Sequence, residues 1–261
     1  MIAWFCLQLI AGIAMMWVAM PRAEVTAGFF RIQMMFVMAL SVVALLTFGK
    51  LSGNAAAVEG WLTPGVMGSG LLACLAYVGS VMWTLQRRPA GNTIVYTIAA
   101  ISLSMLAFLN DGSTPLAGRE TATGIAWLRV ASDFSTAALL GSAMTGMLLG
   151  HWYLTAKTMS LRPLQTLTWY FGLAVGLRCV VSALCLAVAW SELSSQTHWI
   201  WLGLRWSAGV VGPLIMFALT WQILRYRNTQ AATGVLFAGV IMTFIGELTA
   251  RLLWQELHFP L

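Results

Sequence analysis

Apolar residues run along the chain in stretches of about 20, separated by Pro, Gly and charged residues. An apolar stretch of about 20 residues crosses a bilayer once as an α-helix. Eight such stretches predict an all-α polytopic membrane bundle that forms a single transmembrane domain over residues 1–261. The predicted helices lie near residues 2–20, 30–49, 64–85, 93–109, 133–153, 167–190, 200–224 and 231–253.

Composition agrees with a membrane protein. Hydrophobic residues make up 60% of the 261 residues and charged residues only 8%, whereas a soluble domain is about 25% charged. The net charge is +6, but the basic residues lie in short connections between apolar stretches, where they set topology. We therefore exclude nucleic acid as a partner.

The basic residues also predict the orientation, because Lys and Arg accumulate in cytoplasmic loops. Odd-numbered connections carry eight cations: Arg22, Arg31, Arg87, Arg88, Lys157, Arg162, Arg225 and Arg227. Even-numbered connections carry three: Lys50, Arg119 and Arg129. The odd connections are thus predicted to be cytoplasmic and both termini extracytoplasmic, in the inner membrane of a bacterium.

Tryptophans are expected at both membrane interfaces. The predicted outer belt is Trp4, Trp61, Trp127, Trp190, Trp199, Trp201, Trp206 and Trp254, and the inner belt is Trp17, Trp83, Trp152, Trp169 and Trp221. Such an outer belt anchors the bundle and also suits docking of an extracytoplasmic partner. The long connection 110–132 contains Trp127 and Leu128 and suits a short interfacial helix.

The last apolar stretch holds Glu247 and Arg251 one helical turn apart. A charge at the centre of a membrane helix costs ~2.5–3.5 kcal/mol, so such ions face the protein interior and mark functional sites. The two side chains can neutralise each other at i,i+4. Arg205 and Glu247 lie five and six residues inside their helices from the same face, so both are roughly 8–9 Å deep.

Arg178 lies near the middle of the sixth predicted helix and must point into the bundle. Two interpretations stay open: an internal pair with Glu247 or with backbone carbonyls that fixes helix packing, and a ligand or proton role. A quinol site needs an acid to accept the hydroxyl proton and Arg or Trp to position the ring. The candidates are Glu247 as the catalytic group, with Arg178, Arg205, Arg251 and Trp206 as quinone-binding residues.

Metal cofactors are not expected in this chain. The four cysteines, Cys6, Cys74, Cys179 and Cys185, lack the grouped spacing of cluster ligands and are predicted to be buried, inert thiols. Bis-imidazole haem needs two histidines at one depth, but His151, His198 and His258 lie near helix ends. The pair His198 and His258 is the one combination open to haem.

Two further patterns concern helix packing. The fifth predicted helix carries small residues at four-residue spacing, Ala138, Ser142, Gly146 and Gly150, which let a neighbouring helix approach closely. Gly212-Pro213 is expected to kink the seventh. The sequence shows no internal repeat of the kind found in many secondary transporters.

The stretch Gly246-Glu247-Leu248-Thr249-Ala250-Arg251, followed by Leu257-His258, resembles the end of the membrane anchor subunits of dimethyl-sulfoxide-reductase and polysulfide-reductase-type complexes. The stretch 8–15, the small-residue helix 140–154 and the eight-helix plan are also similar. The resemblance implies a haem-free anchor that holds a periplasmic iron–sulfur subunit and oxidises menaquinol near the outer face. Of the site residues, Glu247 and Arg251 carry over. The stretch 48–53 departs from the family, where a His-Leu-Gly-containing loop is usual.

Three functions follow. The first is an integral membrane subunit of an electron-transfer complex that anchors an extracytoplasmic iron–sulfur or cytochrome subunit and binds quinol near the outer face. The second is a structural subunit without quinone chemistry, whose buried ions hold helices and whose tryptophan-rich rim binds partner subunits or lipid. The third is a small-solute or proton transporter that uses Arg178 and Glu247 along its path.

Overall fold

The computed structural model describes residues 1–51, 63–109, 122–156, 159–190 and 195–257. Within these ranges every regular element is helical and no strand occurs. Among the described residues, seven helical segments are long and apolar enough to cross a membrane. The predicted all-α class is therefore confirmed, and the predicted membrane character is supported.

The chain divides into two compact units, Met1–Leu109 and Asn110–Leu261. The first unit contains α1 (Ile2–Ala19), α2 (Ala27–Leu51), α3 (Pro64–Thr84) and α4 (Arg88–Phe108), with a 3₁₀ turn at Arg22–Glu24. The second contains α5 (Ala122–Thr155), α6 (Arg162–Ala189), α7 (Gln196–Trp206), α8 (Gly212–Arg225) and α9 (Thr229–Leu257), with a π-helical turn at Ser207–Val211.

In the first unit, α1 packs against α2 and α4, and α3 also packs against both. Phe30 of α2 and Trp83 of α3 stack with ring centroids 4.5 Å apart. Trp4, Trp17 and Trp83 are buried, so their rings lie inside the protein and do not form the exposed interfacial belt that was predicted for them.

In the second unit, α9 is the central helix, because it contacts α5, α7, the π-helical turn and α8. The small-residue stripe of α5 faces it: a Cβ on Gly150 would lie 2.7 Å from Thr233 Oγ1, and one on Gly146 would lie 3.8 Å from Leu236. The close helix approach predicted from this stripe is confirmed.

Several helices extend beyond the apolar windows that predicted them. α4 begins at Arg88 and α6 at Arg162, each with a proline in the first turn, where its fixed φ favours the helix start. The apolar window marks only the part that suits lipid, whereas backbone hydrogen bonding continues into the polar interface. Trp127 and Leu128 belong to α5, so the prediction that they form a separate interfacial helix was wrong. Residues 110–121 of the same predicted connection lie outside the described ranges.

A kink was predicted at Gly212-Pro213, and the structure has a π-helical turn immediately before these residues. Gly212 N–H donates to the carbonyl of Ser207, five residues back. Pro213 has no N–H and its ring excludes a normal bond to the carbonyl four residues earlier, so the helix widens locally. The turn places Gly209 against α9, as the site requires.

Candidate functional site

A buried ion cluster lies in the second unit at the junction of three helices. Glu247 comes from α9, Arg178 from α6 and Arg205 from the last turn of α7. The three residues are only 2%, 2% and 1% exposed. Ions so fully buried are stable only when paired and hydrogen-bonded, so the contacts of each nitrogen and oxygen decide what the cluster can do.

Arg178 binds Glu247 through a fork of two hydrogen bonds. Its Nε donates to Oε1 at 3.0 Å and its Nη2 donates to Oε2 at 3.0 Å. Thr136 of α5 donates to Oε2 at 2.9 Å. The internal pair of Arg178 with Glu247 that the sequence left open is therefore present, and it joins α5, α6 and α9 with the geometry that makes Arg–carboxylate pairs strong.

The remaining nitrogen of Arg178 is also satisfied. Nη1 donates to Ser132 Oγ at 2.8 Å and lies 3.5 Å from Ser135 Oγ. Every nitrogen of this guanidinium thus has at least one acceptor, and four of its five N–H donors are used within the protein.

Arg205 is less completely bound. Its Nη1 lies 3.2 Å from Glu247 Oε1 as an ion pair, but without the geometry of a hydrogen bond, and its Nε has no hydrogen-bond partner. Its Nη2 donates to Ser182 Oγ at 3.0 Å. Arg205 therefore retains buried donor capacity next to the carboxylate.

Two glycines allow Arg205 and Glu247 to meet. A Cβ on Gly246 would collide with the backbone of Gly209, and a Cβ on Gly209 would lie 3.1 Å from the Cα of Gly246 and against the Arg205 guanidinium. The π-helical turn and α9 are therefore in backbone contact. Gly246 precedes Glu247 and Gly209 follows Arg205 by four residues, so this crossing sets the distance between the two ions.

The cluster carries one net positive charge, since two guanidinium groups share one carboxylate. Next to it, the described residues form an apolar cluster, which consists of Leu128, Val181, Cys185, Leu202 and Leu253. Trp201 and Trp206 pack against this apolar cluster, and Trp206 is half-buried. The ion cluster thus has an apolar, partly aromatic neighbourhood.

Arg251 pairs with a different acid from the one predicted. Its Nη2 donates to Asp133 Oδ1 at 3.3 Å, so the predicted neutralisation of Glu247 by Arg251 was wrong. α5 supplies the partners of both α9 residues: Thr136 contacts Glu247 and Asp133 contacts Arg251. The spacing matches, because each pair of residues on the same helix lies about one turn apart. The neighbouring helix competes successfully with the i,i+4 contact along α9.

The hydroxyl groups around the ions were not identified from the sequence. Ser132, Ser135 and Thr136 lie on one buried face of α5 and Ser182 is buried on α6. The i, i+3, i+4 spacing of the first three is a detectable signal. The small residues of the same helix, Ala138, Ser142, Gly146 and Gly150, form a stronger pattern in the sequence.

Other predicted features meet mixed outcomes. Cys6 and Cys185 are buried, but Cys74 is exposed and Cys179 half-buried, so the expectation of four buried thiols was wrong. Among the described residues, no three His, Cys, Asp or Glu side chains approach as metal ligands would. Four residues named in the sequence predictions lie outside the described ranges: Trp61, Arg119, Lys157 and His258.

Comparison of the chain with protein-family models, with curated proteins and with solved structures finds no match in any of the three.

Proposed function

We propose that this chain is an integral membrane subunit of an electron-transfer complex in a bacterial inner membrane, and that its second unit binds a quinol head group at Arg205. The observation that carries the proposal is the incomplete bonding of Arg205. Its guanidinium is fully buried, its Nε has no hydrogen-bond partner, and it shares the Glu247 carboxylate with Arg178.

The electrostatics favour an oxygen ligand. Leaving a buried donor unsatisfied costs about 1–3 kcal/mol, and more for a charged group, while a net positive charge in an apolar bundle adds its own desolvation penalty. A hydroxyl or carbonyl oxygen at Arg205 Nε offsets both costs. Quinol and quinone combine two such oxygens with an apolar ring, which suits the neighbouring apolar cluster and Trp206.

Glu247 acts first as the counter-ion that orients Arg205. Its two oxygens accept bonds from Arg178 and Thr136 and contact Arg205. For Glu247 to accept a quinol proton, one of these contacts must open in the reaction. The catalytic role of Glu247 therefore stays a prediction that requires movement of an arginine, and Arg251, which binds Asp133, would contribute at most indirectly.

Eight membrane spans with both termini on the extracytoplasmic side form part of the proposal. α5 supplies the eighth span, although it is not among the seven most apolar ones. Its polar residues Ser135, Thr136, Ser142 and Thr145 are buried and so are shielded from lipid by neighbouring helices. The excess of cations in the odd connections supports the orientation.

Exposed tryptophans support docking of an extracytoplasmic iron–sulfur or cytochrome subunit. Trp127, Trp190 and Trp199 are 56%, 59% and 46% exposed, and Trp190 and Trp199 form an edge-to-face pair with centroids 5.4 Å apart. In the proposed orientation all three lie toward the outer side. Aromatic residues of this kind are enriched both at membrane interfaces and at protein interfaces.

A structural subunit without quinone chemistry is the second candidate, and a specific observation favours it. The fork between Arg178 and Glu247 leaves neither group free and ties three helices together. Buried ion pairs of this kind fix helix register. In this alternative, Arg205 completes the packing and binds no ligand.

Purification of the tagged full chain in mild detergent distinguishes the two. Co-purifying proteins are identified by mass spectrometry, and quinone is extracted and quantified from the same sample. About one quinone per chain together with an iron–sulfur or cytochrome protein supports the proposed function. A partner without quinone supports the structural subunit. Absence of both contradicts both, and proton or solute flux through the chain in sealed liposomes would then support transport.

A further inference from the structure

Four arginines gather at one end of the first unit. Arg22 lies in the turn between α1 and α2, Arg31 in the first turns of α2, and Arg87 and Arg88 at the start of α4. Arg88 Nη1 donates to the carbonyl of Ala23 at 3.3 Å, which holds the two connections together. Glu24 is the one acid in these two connections of the sequence, so four arginines against one glutamate leave three positive charges.

Arg22 is held in a fixed position. Its guanidinium carbon lies 4.4 Å from the centroid of the Tyr96 ring, and its Nη2 donates a hydrogen bond to the Tyr96 hydroxyl. Its Nη1 is buried and has no hydrogen-bond partner. The aromatic ring thus fixes the cation through a cation–π contact and leaves one donor unused.

The start of α4 strengthens the positive field. Its first turn contains no acid, and its N-cap, Arg87, makes no side-chain capping bond. The N-terminus of a helix attracts anions through its dipole and any unbonded N–H groups. Here the Arg88 N–H donates to the carbonyl of Gln86 and Pro89 has no N–H, so the dipole makes the main contribution. Arg88 lies at this terminus and is exposed, so the dipole and the side-chain charges of Arg22 and Arg88 act in the same direction.

We propose that this cluster, formed by Arg22, Arg88 and Tyr96 with Arg31 and Arg87 beside it, binds the phosphate of an anionic phospholipid. Exposed apolar side chains continue from it along the helices: Val81, Leu85 and Tyr96 are 37%, 59% and 51% exposed. These surfaces receive the glycerol and acyl chains, while the arginines contact the phosphate at the interface. Basic pockets between helices at a membrane interface bind acidic lipid head groups in this way. A free phosphate would make only the polar half of these contacts.

The site is tested with the full chain, purified in a neutral detergent and stripped of lipid. Fluorescently labelled phosphatidylglycerol is titrated into the protein, with labelled phosphatidylcholine as the zwitterionic comparison. Two arginines near a lipid surface should contribute together about a 30-fold difference in affinity. We expect Arg22→Gln with Arg88→Gln to weaken phosphatidylglycerol binding by about that factor and to weaken phosphatidylcholine binding by a smaller factor, because the choline cation of that lipid offsets the charge of its phosphate.

The matched control removes the same charge elsewhere. Arg225 and Arg227 are exposed at the end of α8 in the second unit. The double variant Arg225→Gln with Arg227→Gln should retain the wild-type affinity within about threefold, because neither residue belongs to the proposed cluster and exposed charges are screened by salt. An equal loss in both double variants, or no loss in either, overturns the proposal. Displacement of the lipid by millimolar inorganic phosphate also overturns it, because the site would then bind an anion rather than a lipid.

A single substitution, Tyr96→Leu, tests the same site if the double variant misfolds. If the Arg22 and Arg88 double variant aggregates on size exclusion, Tyr96→Leu retains every charge and removes only the ring that positions Arg22. We expect it to weaken phosphatidylglycerol binding about three- to fivefold, the scale of one exposed cation–π contact. An unchanged affinity in this variant overturns the proposed geometry.

Discussion

The two units bury polar groups of different kinds. In the first unit, the buried polar side chains of the described residues are uncharged: Gln8, Gln33, Ser41, Ser69 and Ser102. Its arginines lie at the helix ends. The second unit buries Arg178, Arg205, Glu247 and Asp133 along with several hydroxyl groups. We therefore expect single substitutions of buried polar residues in the first unit to cost little stability. In the second unit, substitution of one buried ion should also destabilise the ions that contact it.

This difference follows from the energetics of buried charge. Replacing an uncharged buried amide with an apolar side chain removes a desolvation cost and at most one or two hydrogen bonds. Removing one member of a buried ion cluster leaves its partner as an uncompensated charge in a medium of low dielectric constant. The hydrogen bonds of these ions therefore connect α5, α6 and α9 to one another.

The largest effect is expected for Glu247→Gln. The substitution leaves Arg178 and Arg205 as two adjacent buried cations, and breaking a buried pair in this way costs about 3–5 kcal/mol. The free energy of unfolding of the full chain, measured by titration with dodecyl sulfate in mixed micelles, should fall by that amount. Adding Arg205→Gln restores the original net charge and should recover part of the loss.

Glu24→Gln provides the control for this substitution, because Glu24 lies in the partly exposed turn of the first unit and an exposed ion pair contributes only about 0–1 kcal/mol. Equal losses for the Glu24 and Glu247 variants would contradict the difference between the units.

The next effect is expected for Gly246→Ala. The new methyl group collides with the backbone of Gly209, so α9 and the π-helical turn must separate, at a cost of about 3 kcal/mol. Gly234→Ala is the matched control on the same helix, because nothing lies within 4 Å of a Cβ there. If both variants unfold at the same dodecyl sulfate fraction, the glycine crossing does not set the distance between Arg205 and Glu247.

A smaller loss is expected for Ser182→Ala. Ser182 accepts the one hydrogen bond of Arg205 that has good geometry, and a bond to a charged group is worth about 1.5–3 kcal/mol. The lower end of that range is expected here, since Arg205 keeps its ion pair with Glu247. The exposed hydroxyl of Ser207 bonds only to its own helix, and Ser207→Ala should change stability by less than about 0.5 kcal/mol. If Ser182→Ala leaves the free energy of unfolding unchanged, other groups hold Arg205 in place.

The smallest effect is expected in the first unit, for Gln33→Met. Gln33 is 1% exposed, and neither of its amide atoms has a hydrogen-bond partner, so a thioether of similar length should change the free energy of unfolding by less than about 0.5 kcal/mol or stabilise the chain. A loss of about 2 kcal/mol or more would show that the first unit also depends on a buried polar network.

Much of the fold could be predicted from hydrophobic length alone. Apolar stretches located each helix, because lipid requires about 20 apolar residues regardless of partners. Helix ends such as Arg88 and Arg162 could not be placed, because the apolar window ends before backbone hydrogen bonding does. The π-helical turn was indicated only as an irregularity at Gly212-Pro213.

The site could be predicted in part. The intramembrane charges Arg178, Arg205 and Glu247 are conspicuous in lipid, and equal depth correctly placed two of them together. The choice of partner could not be predicted, because it depends on the side-by-side positions of α5 and α9. For this reason Arg251 was assigned to Glu247 along its own helix, although Asp133 of α5 binds it.

The most direct test of the central claim is the affinity of purified chain for a menaquinone analogue, measured by quenching of tryptophan fluorescence in wild type, Arg205→Lys and Arg205→Gln. We predict that Arg205→Gln binds at least tenfold more weakly, which corresponds to about 1.4 kcal/mol, while its free energy of unfolding falls by less than that of Glu247→Gln, because Arg178 still neutralises Glu247. Arg205→Lys should be intermediate, since it retains the charge without Nε. Equal affinity in all three proteins, or no binding by the wild type, would contradict the claim that Arg205 binds a quinol.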